Sequence, residues 1–486
     1  MWDLLFNSGF LVSNTVTWIL NILFSIYVVY NGRKNPRSTI IWIFVVNLLS
    51  FVGMALFFMF GRDTRKSKMF SLKQENDDII QQLSTSQYDK ISEDKFRYKV
   101  SEIEKYNQLV KLNLISDDAY FTEDNDIKLY YWGEEKFLAL IEDIQNAKRT
   151  IDIQYYIFRT DKIGRLILNE LKKKIKEGVQ VRFLYDALGS RTARKKYFKQ
   201  LEQMGAQVVS FFPSVLGIIN FRINYRNHRK LVIIDDTVGY IGGFNVGDDY
   251  LGESKMGPWR DTHIRVEGGA ILGLKLRFLK DWYYASGEEP NLERDLEPVF
   301  SGQGQSATQV ISSGPDTMNA NIKNAIIYMI NSANEKIYIQ SPYLVPDHAV
   351  YEALKIALLR GVEVNIMIPK KPDHAVVHWC SMSFARDLAG HGANIYAYHN
   401  GFLHAKVIFI DDMVSTVGTT NLDERSFMLN FETNMVIYDK DINAQLTKQY
   451  MIDINDSELL TVEKFKNRPI YMKLREPIAR IFSPLF

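Results

Sequence analysis

Apolar positions along the chain fall into three regimes. From Leu4 to Tyr30 no residue is charged, and from Ser38 to Gly61 none is charged again. A bilayer span needs about 20 mostly apolar residues, so each run predicts a membrane helix. Two buried core helices would share this composition. Two such runs separated by seven residues favour instead a hairpin, residues 1–61, that stays in the membrane. A cleaved signal peptide is not expected, because it starts basic and carries a short apolar run, whereas this chain begins Met1-Trp2-Asp3. Arg33, Lys34 and Arg37 lie between the runs, and Arg62, Arg65, Lys66 and Lys68 follow the second. The small excess places the large C-terminal part in the cytoplasm by the positive-inside rule.

The second regime, residues 62–115, is highly charged, with helical stretches such as Lys99 to Leu112, and reads as a linker with a peripheral helix. In the third regime the pattern repeats itself. Ile151-Asp152-Ile153-Gln154 returns as Ile337-Tyr338-Ile339-Gln340, 186 residues on. Glu177-Gly178-Val179 returns as Arg360-Gly361-Val362 after 183, and Gly205-Ala206 as Gly392-Ala393 after 187. Each joint is a helix ending at Gly and running into a β-branched strand. Alternating strands and helices predict an α/β layer fold. Two copies predict duplicated lobes, 116–300 and 301–486, with a site between them.

Composition narrows the function without naming it. The chain has 486 residues and a formal net charge of +2, so there is no global pull toward nucleic acid. Its one cysteine, Cys380, excludes an intrachain disulfide and thiolate metal clusters.

The chemistry sits in a second, sharper repeat. His228-Arg229-Lys230 with Asp235, and His404-Ala405-Lys406 with Asp411, share one spacing at an offset of 176 residues. Gly242-Gly243-Phe244-Asn245 and Gly418-Thr419-Thr420-Asn421 keep that offset. Composition alone gives about 0.04 accidental matches to the motif. The apolar residues after each His predict a strand, on which i and i+2 share a face. His228 therefore points with Lys230, and His404 with Lys406. Two facing lobes would bring two imidazoles and two ammoniums to one pocket. Lysines supply positive charge for a phosphate; one imidazole attacks phosphorus and the other protonates the leaving oxygen. Asn245 and Asn421 can hydrogen-bond phosphate oxygens.

Asp235 and Asp411 complete the motif, yet each lies five residues after its Lys, an odd number that turns it to the opposite face. Asp235-Asp236 and Asp411-Asp412 also read as turns, so these aspartates partly support local structure. Asp261 and Glu432 are candidates for orienting the imidazoles. No metal site is expected: the His spacing is not helical i, i+4 and no short carboxylate cluster accompanies it. The remaining six histidines show no shared spacing.

These residues resemble the phospholipase D superfamily, whose signature is the doubled His-Lys-Asp motif. Asn227-His228-Arg229-Lys230, Gly242 to Gly247, Gln340-Ser341-Pro342-Tyr343, Gly418 to Glu432 and the N-terminus ending Phe60-Gly61-Arg62 are most similar to bacterial cardiolipin synthases. The resemblance covers nearly the whole chain. It implies two phospholipase D-like α/β lobes and a two-step transfer without metal or cofactor. Phosphatidylglycerol is donor and acceptor, glycerol leaves, and a phosphatidyl-histidine forms between. His228 is expected as nucleophile and His404 as acid and base, with exchange of roles open. Thr419 stands where many family members carry Ser and keeps the hydroxyl.

Two further stretches suit a lipid substrate. Pro213 to Phe221 is apolar, and fits equally a loop dipping into the bilayer and a core strand. Arg468 to Phe486 mixes bases with apolar residues, and fits equally an anionic surface and docking on the protein itself. The rivals to a cardiolipin synthase are a phospholipase D hydrolase or another phosphatidyltransferase, a nucleic-acid phosphodiesterase, and a scaffold with a relic site. Oligomeric state is not encoded in any of these patterns.

Overall fold

The computed structural model describes residues 2–31, 36–61, 78–213, 225–288 and 302–483. It divides into an N-terminal unit and a larger α/β body. The N-terminal unit contains the helices Trp2–Asn31 and Pro36–Leu56. Their interface is a small core of Val28, Trp42, Val46 and Phe57. It is cross-linked by Asn21 Nδ2 to Ser50 Oγ at 3.1 Å and Asn47 Nδ2 to Ser25 Oγ at 3.0 Å, the kind of polar pair that associates helices where no water competes. Of the two expected spans, Thr39–Leu56 has the length and apolarity to cross a membrane. Among the described residues the other apolar stretch, Thr15–Tyr30, is shorter. The second helix is also kinked: Ser50 has φ 44°. The structure therefore supports one apolar membrane-length helix and leaves the second span as a proposal.

In the body, β-branched runs form strands, and helices cover them. The first lobe holds β1 (Thr122–Tyr130), β2 (Thr150–Tyr155), β3 (Gln180–Asp186), β4 (Gln207–Phe211), β5 (Arg226–Asn227), β6 (Leu231–Ile234), β7 (Val238–Gly242), β8 (Trp259–Arg260) and β9 (His263–Glu267). The second holds β10 (Ser306–Ser313), β11 (Lys336–Gln340), β12 (Leu344–Val345), β13 (Glu363–Pro369), β14 (Asn394–Tyr398), β15 (Phe402–Leu403), β16 (Val407–Ile410), β17 (Val414–Gly418), β18 (Leu422–Asp423), β19 (Asn430–Tyr438) and β20 (Ser457–Leu459). The first lobe runs β1-β9-β7-β6-β2-β3-β4, the second β10-β19-β17-β16-β11-β13-β14-β20. Apart from β20 the orders match strand for strand. Antiparallel pairing of β1 with β10, Thr122 opposite Thr308, joins them into one mixed sheet.

The repeated glycines have one physical cause. Gly178, Gly205, Gly361 and Gly392 end helices at φ 90°, 105°, 84° and 105°, and a Cβ on any of them would meet nothing within 4 Å. They serve the left-handed C-terminal turn, not packing. Each lobe then builds its own core. The stretch expected as a linker behaves differently from Asp78 onward. Ile103, Tyr106, Leu109, Val110 and Leu114 pack into the second lobe's core with Ile322, Met329 and Ile337, and Asn113 Nδ2 donates to Gln309 Oε1 at 3.0 Å. Of the apolar stretch from Pro213 to Phe221, residues 214–221 lie outside the described residues.

Candidate active site

Both motifs begin with a short ladder to the opposite lobe. β5 runs parallel to the start of β19, with Asn227 opposite Phe431, and the His228 N–H donates to Phe431 O at 2.9 Å. β15 runs parallel to β8, with Leu403 opposite Arg260, and the His404 N–H donates to Arg260 O at 2.7 Å. The residue after each partner carries a carboxylate, so each imidazole meets an acid from the other lobe. His228 Nδ1 lies 2.9 and 3.0 Å from Glu432 Oε1 and Oε2. His404 Nδ1 lies 2.5 Å from Asp261 Oδ2. With Nδ1–H donating to a carboxylate, each neutral imidazole keeps its Nε2 lone pair for chemistry.

The two acids are themselves held differently. Glu432 accepts from Thr419 Oγ1 at 2.5 Å and Asn430 Nδ2 at 3.2 Å. Asp261 accepts from the Thr262 N–H at 2.7 Å and rests against Gly243, where a Cβ would lie 2.0 Å from its Oδ1. Gly243 and Thr419 are equivalent positions of the repeat. One makes room for a carboxylate, and the other donates to one.

Burial sets the charges. It lowers the His228 pKa, aided by Lys230 and Lys406 and opposed by Glu432. It lowers His404 to about 4, again aided by both lysines and opposed by Asp261. Because each lysine acts on both rings, the four groups form one electrostatic neighbourhood. Burial also lowers the Lys230 amine to about 7 and the Lys406 amine to about 8. For Glu432 burial pulls upward, and the His228 and Lys230 contacts outweigh it to leave a lowered pKa. Lys230 Nζ donates to His228 O at 2.5 Å, and Lys406 Nζ donates to His404 O. Tyr156 flanks His228 at 5.0 Å between ring centroids, and Trp259 flanks His404 at 5.2 Å.

Asp235 and Asp411 are not with these groups, which corrects their place among the catalytic residues. Asp235 and Asp236 have φ of 53° and 57°, Asp411 and Asp412 of 45° and 59°. Thr237 N bonds Ile234 O and Met413 N bonds Ile410 O, so both pairs are type I′ turns of the β6-β7 and β16-β17 hairpins. The Asp235 carboxylate accepts from the N–H groups of Lys148, Arg149 and Thr150 at 2.6, 2.7 and 2.9 Å. Asp411 does the same for Asn334, Glu335 and Lys336 at 2.7, 2.9 and 3.0 Å. Five residues of strand, about 17 Å, separate each from its lysine. Asn245 and Asn421 also part company. Asn245 accepts from the Ile157 N–H at 3.2 Å and donates to Tyr250 OH at 2.7 Å. Among the described residues, Asn421 Oδ1 is buried with no hydrogen-bond partner.

Two buried networks behind the imidazoles were not foreseen. Arg229 ion-pairs with Asp281, and its Nε donates to Glu432 O at 3.1 Å. Gln154 Nε2 donates to Asp281 at 2.5 Å. In the other half Arg260 pairs with Asp453 at 2.8 Å, and its Nη1 donates to Asp261 O at 2.5 Å. Gln340 Nε2 donates to Asp453 at 2.7 Å. Each arginine thus fixes the backbone carbonyl of an orienting acid. Gln154 and Gln340 were visible as repeat positions; Asp281 and Asp453, on helices, carried no local signal.

Known proteins resemble this chain in sequence and in fold. The family described as cardiolipin synthase, PLD-like domain, matches residues 140–255 and 326–453, and the phospholipase D-nuclease N-terminal family matches 19–62. A cardiolipin synthase of Listeria monocytogenes is 43% identical over 96% of this chain and 97% of its own. The major cardiolipin synthase ClsA of Bacillus subtilis is 43% identical over 96% of this chain and 98% of its own. Among solved structures, phosphatidylserine synthase from Haemophilus influenzae superimposes with a TM-score of 0.61 at 15% identity, covering 78% of this chain and all of that one. That likeness concerns the fold.

Proposed function

Because this chain belongs to the cardiolipin synthase family of phospholipase D-like proteins, we propose that its crossed His–carboxylate pairs carry a two-step phosphatidyl transfer. The chain is a phosphatidyltransferase that makes cardiolipin. The observation that supports the mechanism best is the reciprocal arrangement of His228 with Glu432 and His404 with Asp261.

His228 Nε2 attacks the phosphorus of one phosphatidylglycerol. The bond from phosphorus to the glycerol oxygen breaks, and the imidazolium of His404 gives that oxygen its proton. Glycerol leaves and the phosphatidyl group stays on His228. The terminal hydroxyl of a second phosphatidylglycerol then yields its proton to His404, its oxygen attacks phosphorus, and the P–N bond breaks. Cardiolipin results, and each step is reversible. Lys230 and Lys406 counter the phosphate charge, and the anion in turn favours the imidazolium form of His404. Glu432 and Asp261 hold each ring and spread its positive charge as it forms. Asn421, with its free buried amide oxygen, is a donor–acceptor for the acceptor headgroup.

The N-terminal helices form a two-span hairpin that keeps the body at the cytoplasmic face, where its lipid substrate lies. Labelling of single introduced cysteines from either side of sealed vesicles tests that topology; body cysteines accessible from outside would reverse it.

Purified enzyme incubated with phosphatidylglycerol and chelator, with products identified by mass spectrometry, tests the chemistry. Cardiolipin and free glycerol are expected, and both disappear in His228→Ala and His404→Ala. Phosphatidic acid alone would make the protein a hydrolase. Unaltered enzyme denatured in base during turnover, where a phosphorus–nitrogen bond survives, should carry the phosphatidyl adduct on His228; an adduct mapped to His404 would exchange the roles.

A further inference from the structure

The helix Ile470–Ile481 lies along the helix Ala375–Gly390 with its polar side inward. Arg475 sits over the Trp379 ring at 4.7 Å and Arg480 over Phe384 at 4.0 Å. Arg480 pairs with Asp387 at 3.0 Å, and Arg468 with the buried Glu476 at 2.9 Å. Glu476 and Ala479 are buried against the body. The apolar side is left facing outward. Ile470, Leu474, Ile478 and Ile481 are 70, 60, 57 and 62% exposed, a continuous stripe at helical spacing with Tyr471 and Phe482 beside it. This reverses the usual polarity of a docked surface helix, and an exposed contiguous stripe of this kind marks an interaction surface.

Two observations identify the partner. From Lys464 to Phe482 there are six basic residues and one acid, Glu476, and that acid is buried. Arg468, Arg475, Arg480 and Lys464 are engaged by the protein, which leaves Lys466 and Lys473 to flank the apolar stripe. An apolar stripe flanked by lysines matches an anionic bilayer surface, with side chains reaching about 5–10 Å into the headgroup boundary. The helix also sits beside the site. The covering helix Ala375–Gly390 starts two residues after Asp373, which accepts from the Tyr343 hydroxyl and acts on the Lys406 amine. Arg468 and Arg475 lie close enough to this start to lower the His378 pKa to about 4, after burial, the larger cause.

We infer that the helix Ile470–Ile481 is an interfacial foot, resting its apolar stripe in the anionic bilayer beside the catalytic groups while its arginines clamp it to the second lobe. A foot of this type holds the body to the surface from which lipid must be drawn, separately from the N-terminal helices. It goes beyond the catalytic reading and does not depend on which histidine attacks.

The test uses the full-length protein in nanodiscs containing phosphatidylglycerol, with or without brominated acyl chains. The only native cysteine, Cys380, is buried, so a fluorophore can be placed at Leu474→Cys, Ile478→Cys or, as control, the exposed Lys196→Cys. Brominated lipid should quench the first two labels at least about twofold and the control not at all. Equal or absent quenching at all three overturns the inference. Shielding from iodide that grows with protein concentration, without bromine quenching, also overturns it and assigns the stripe to a second copy of the chain. The double variant Leu474→Glu, Ile478→Glu should lose at least about fivefold in turnover of bilayer lipid and stay within about twofold on detergent-dispersed lipid. Equal loss on both would count against a surface role. Quenching needs no turnover, so its failure would leave the catalytic reading standing.

Discussion

In the first half of the site the buried arginine sits next to the motif imidazole in sequence; in the second half it arrives from the other lobe. Arg229 follows His228, while the equivalent position after His404 is Ala405. Across the ladder the pattern inverts: Phe431 faces the first motif and Arg260 the second. Arg229 lies over the Phe431 ring at 5.3 Å, and Arg260 over Tyr131 at 4.9 Å. Yet both guanidiniums neutralise a buried aspartate and grip the carbonyl of the acid that orients a histidine. The position of the charge was preserved, and the strand supplying it was free to change. A duplicated site can drift in sequence as long as each buried aspartate keeps one cation, because the cost of an unpaired charge does not depend on which strand supplies its partner.

The comparison can be broken most forcefully at the carboxylates. Asp261→Asn and Glu432→Gln keep shape and remove charge, so each is expected to lower kcat by about 10³-fold with folding intact, measured by initial rates alongside a melting curve. Loss in only one variant would mean that the halves are not functionally reciprocal. The arginines come next. Arg229→Met and Arg260→Met each leave a buried aspartate unpaired, and a loss of about 3–5 kcal/mol in denaturant unfolding is expected. Pairing Arg260→Met with Asp453→Leu should restore much of it; no recovery would show that the guanidinium–carbonyl bond carries the effect.

The lysines sharpen the comparison through pH. kcat/KM reports the free enzyme. In that state Lys230, lowered to about 7, and Lys406, lowered to about 8, lose positive charge as pH rises through that window. A decline of about tenfold per unit between pH 7 and 8, steepening toward about a hundredfold per unit above pH 8 as both charges are lost, is expected, and Lys230→Arg, which stays protonated, should leave only the limb set by Lys406. A flat profile to pH 10 would deny both amines their role. The smallest effect belongs to the motif aspartates. Asp235→Ala and Asp411→Ala should each cost about 1–2 kcal/mol, as lost caps do, with turnover per folded molecule within about twofold. A kcat collapse in a variant that still folds would return them to the chemistry.

Much of this was legible in the chain. The glycine joints and β-branched runs repeat because each lobe solves the same helix-ending and strand-burying problem. Strand parity grouped His228 with Lys230 and His404 with Lys406; the structure brings each pair together, but in the residues between β5 and β6 and between β15 and β16, not on a strand. Parity also turned Asp235 and Asp411 away, although the motif had grouped them with the reacting residues. What stayed hidden is tertiary. Nothing local tells Glu432 to meet His228 across 204 residues, since that pairing depends on how two lobes face each other. The apolar face of 103–114 was masked by the charges around it, so a segment integral to the second lobe read as a linker. Ser50 gives no local warning of the kink that bends the second apolar helix.

The crossed ladders also bear on synthesis. A ribosome adding about 5–20 residues per second emits Glu432 about 10–40 s after His228, since 204 residues separate them. During that interval the first motif lacks both its orienting acid and the strand that aligns its backbone. A chain that stops short of Glu432 is therefore expected to lack the transfer reaction, which an activity assay on a product truncated before that residue checks.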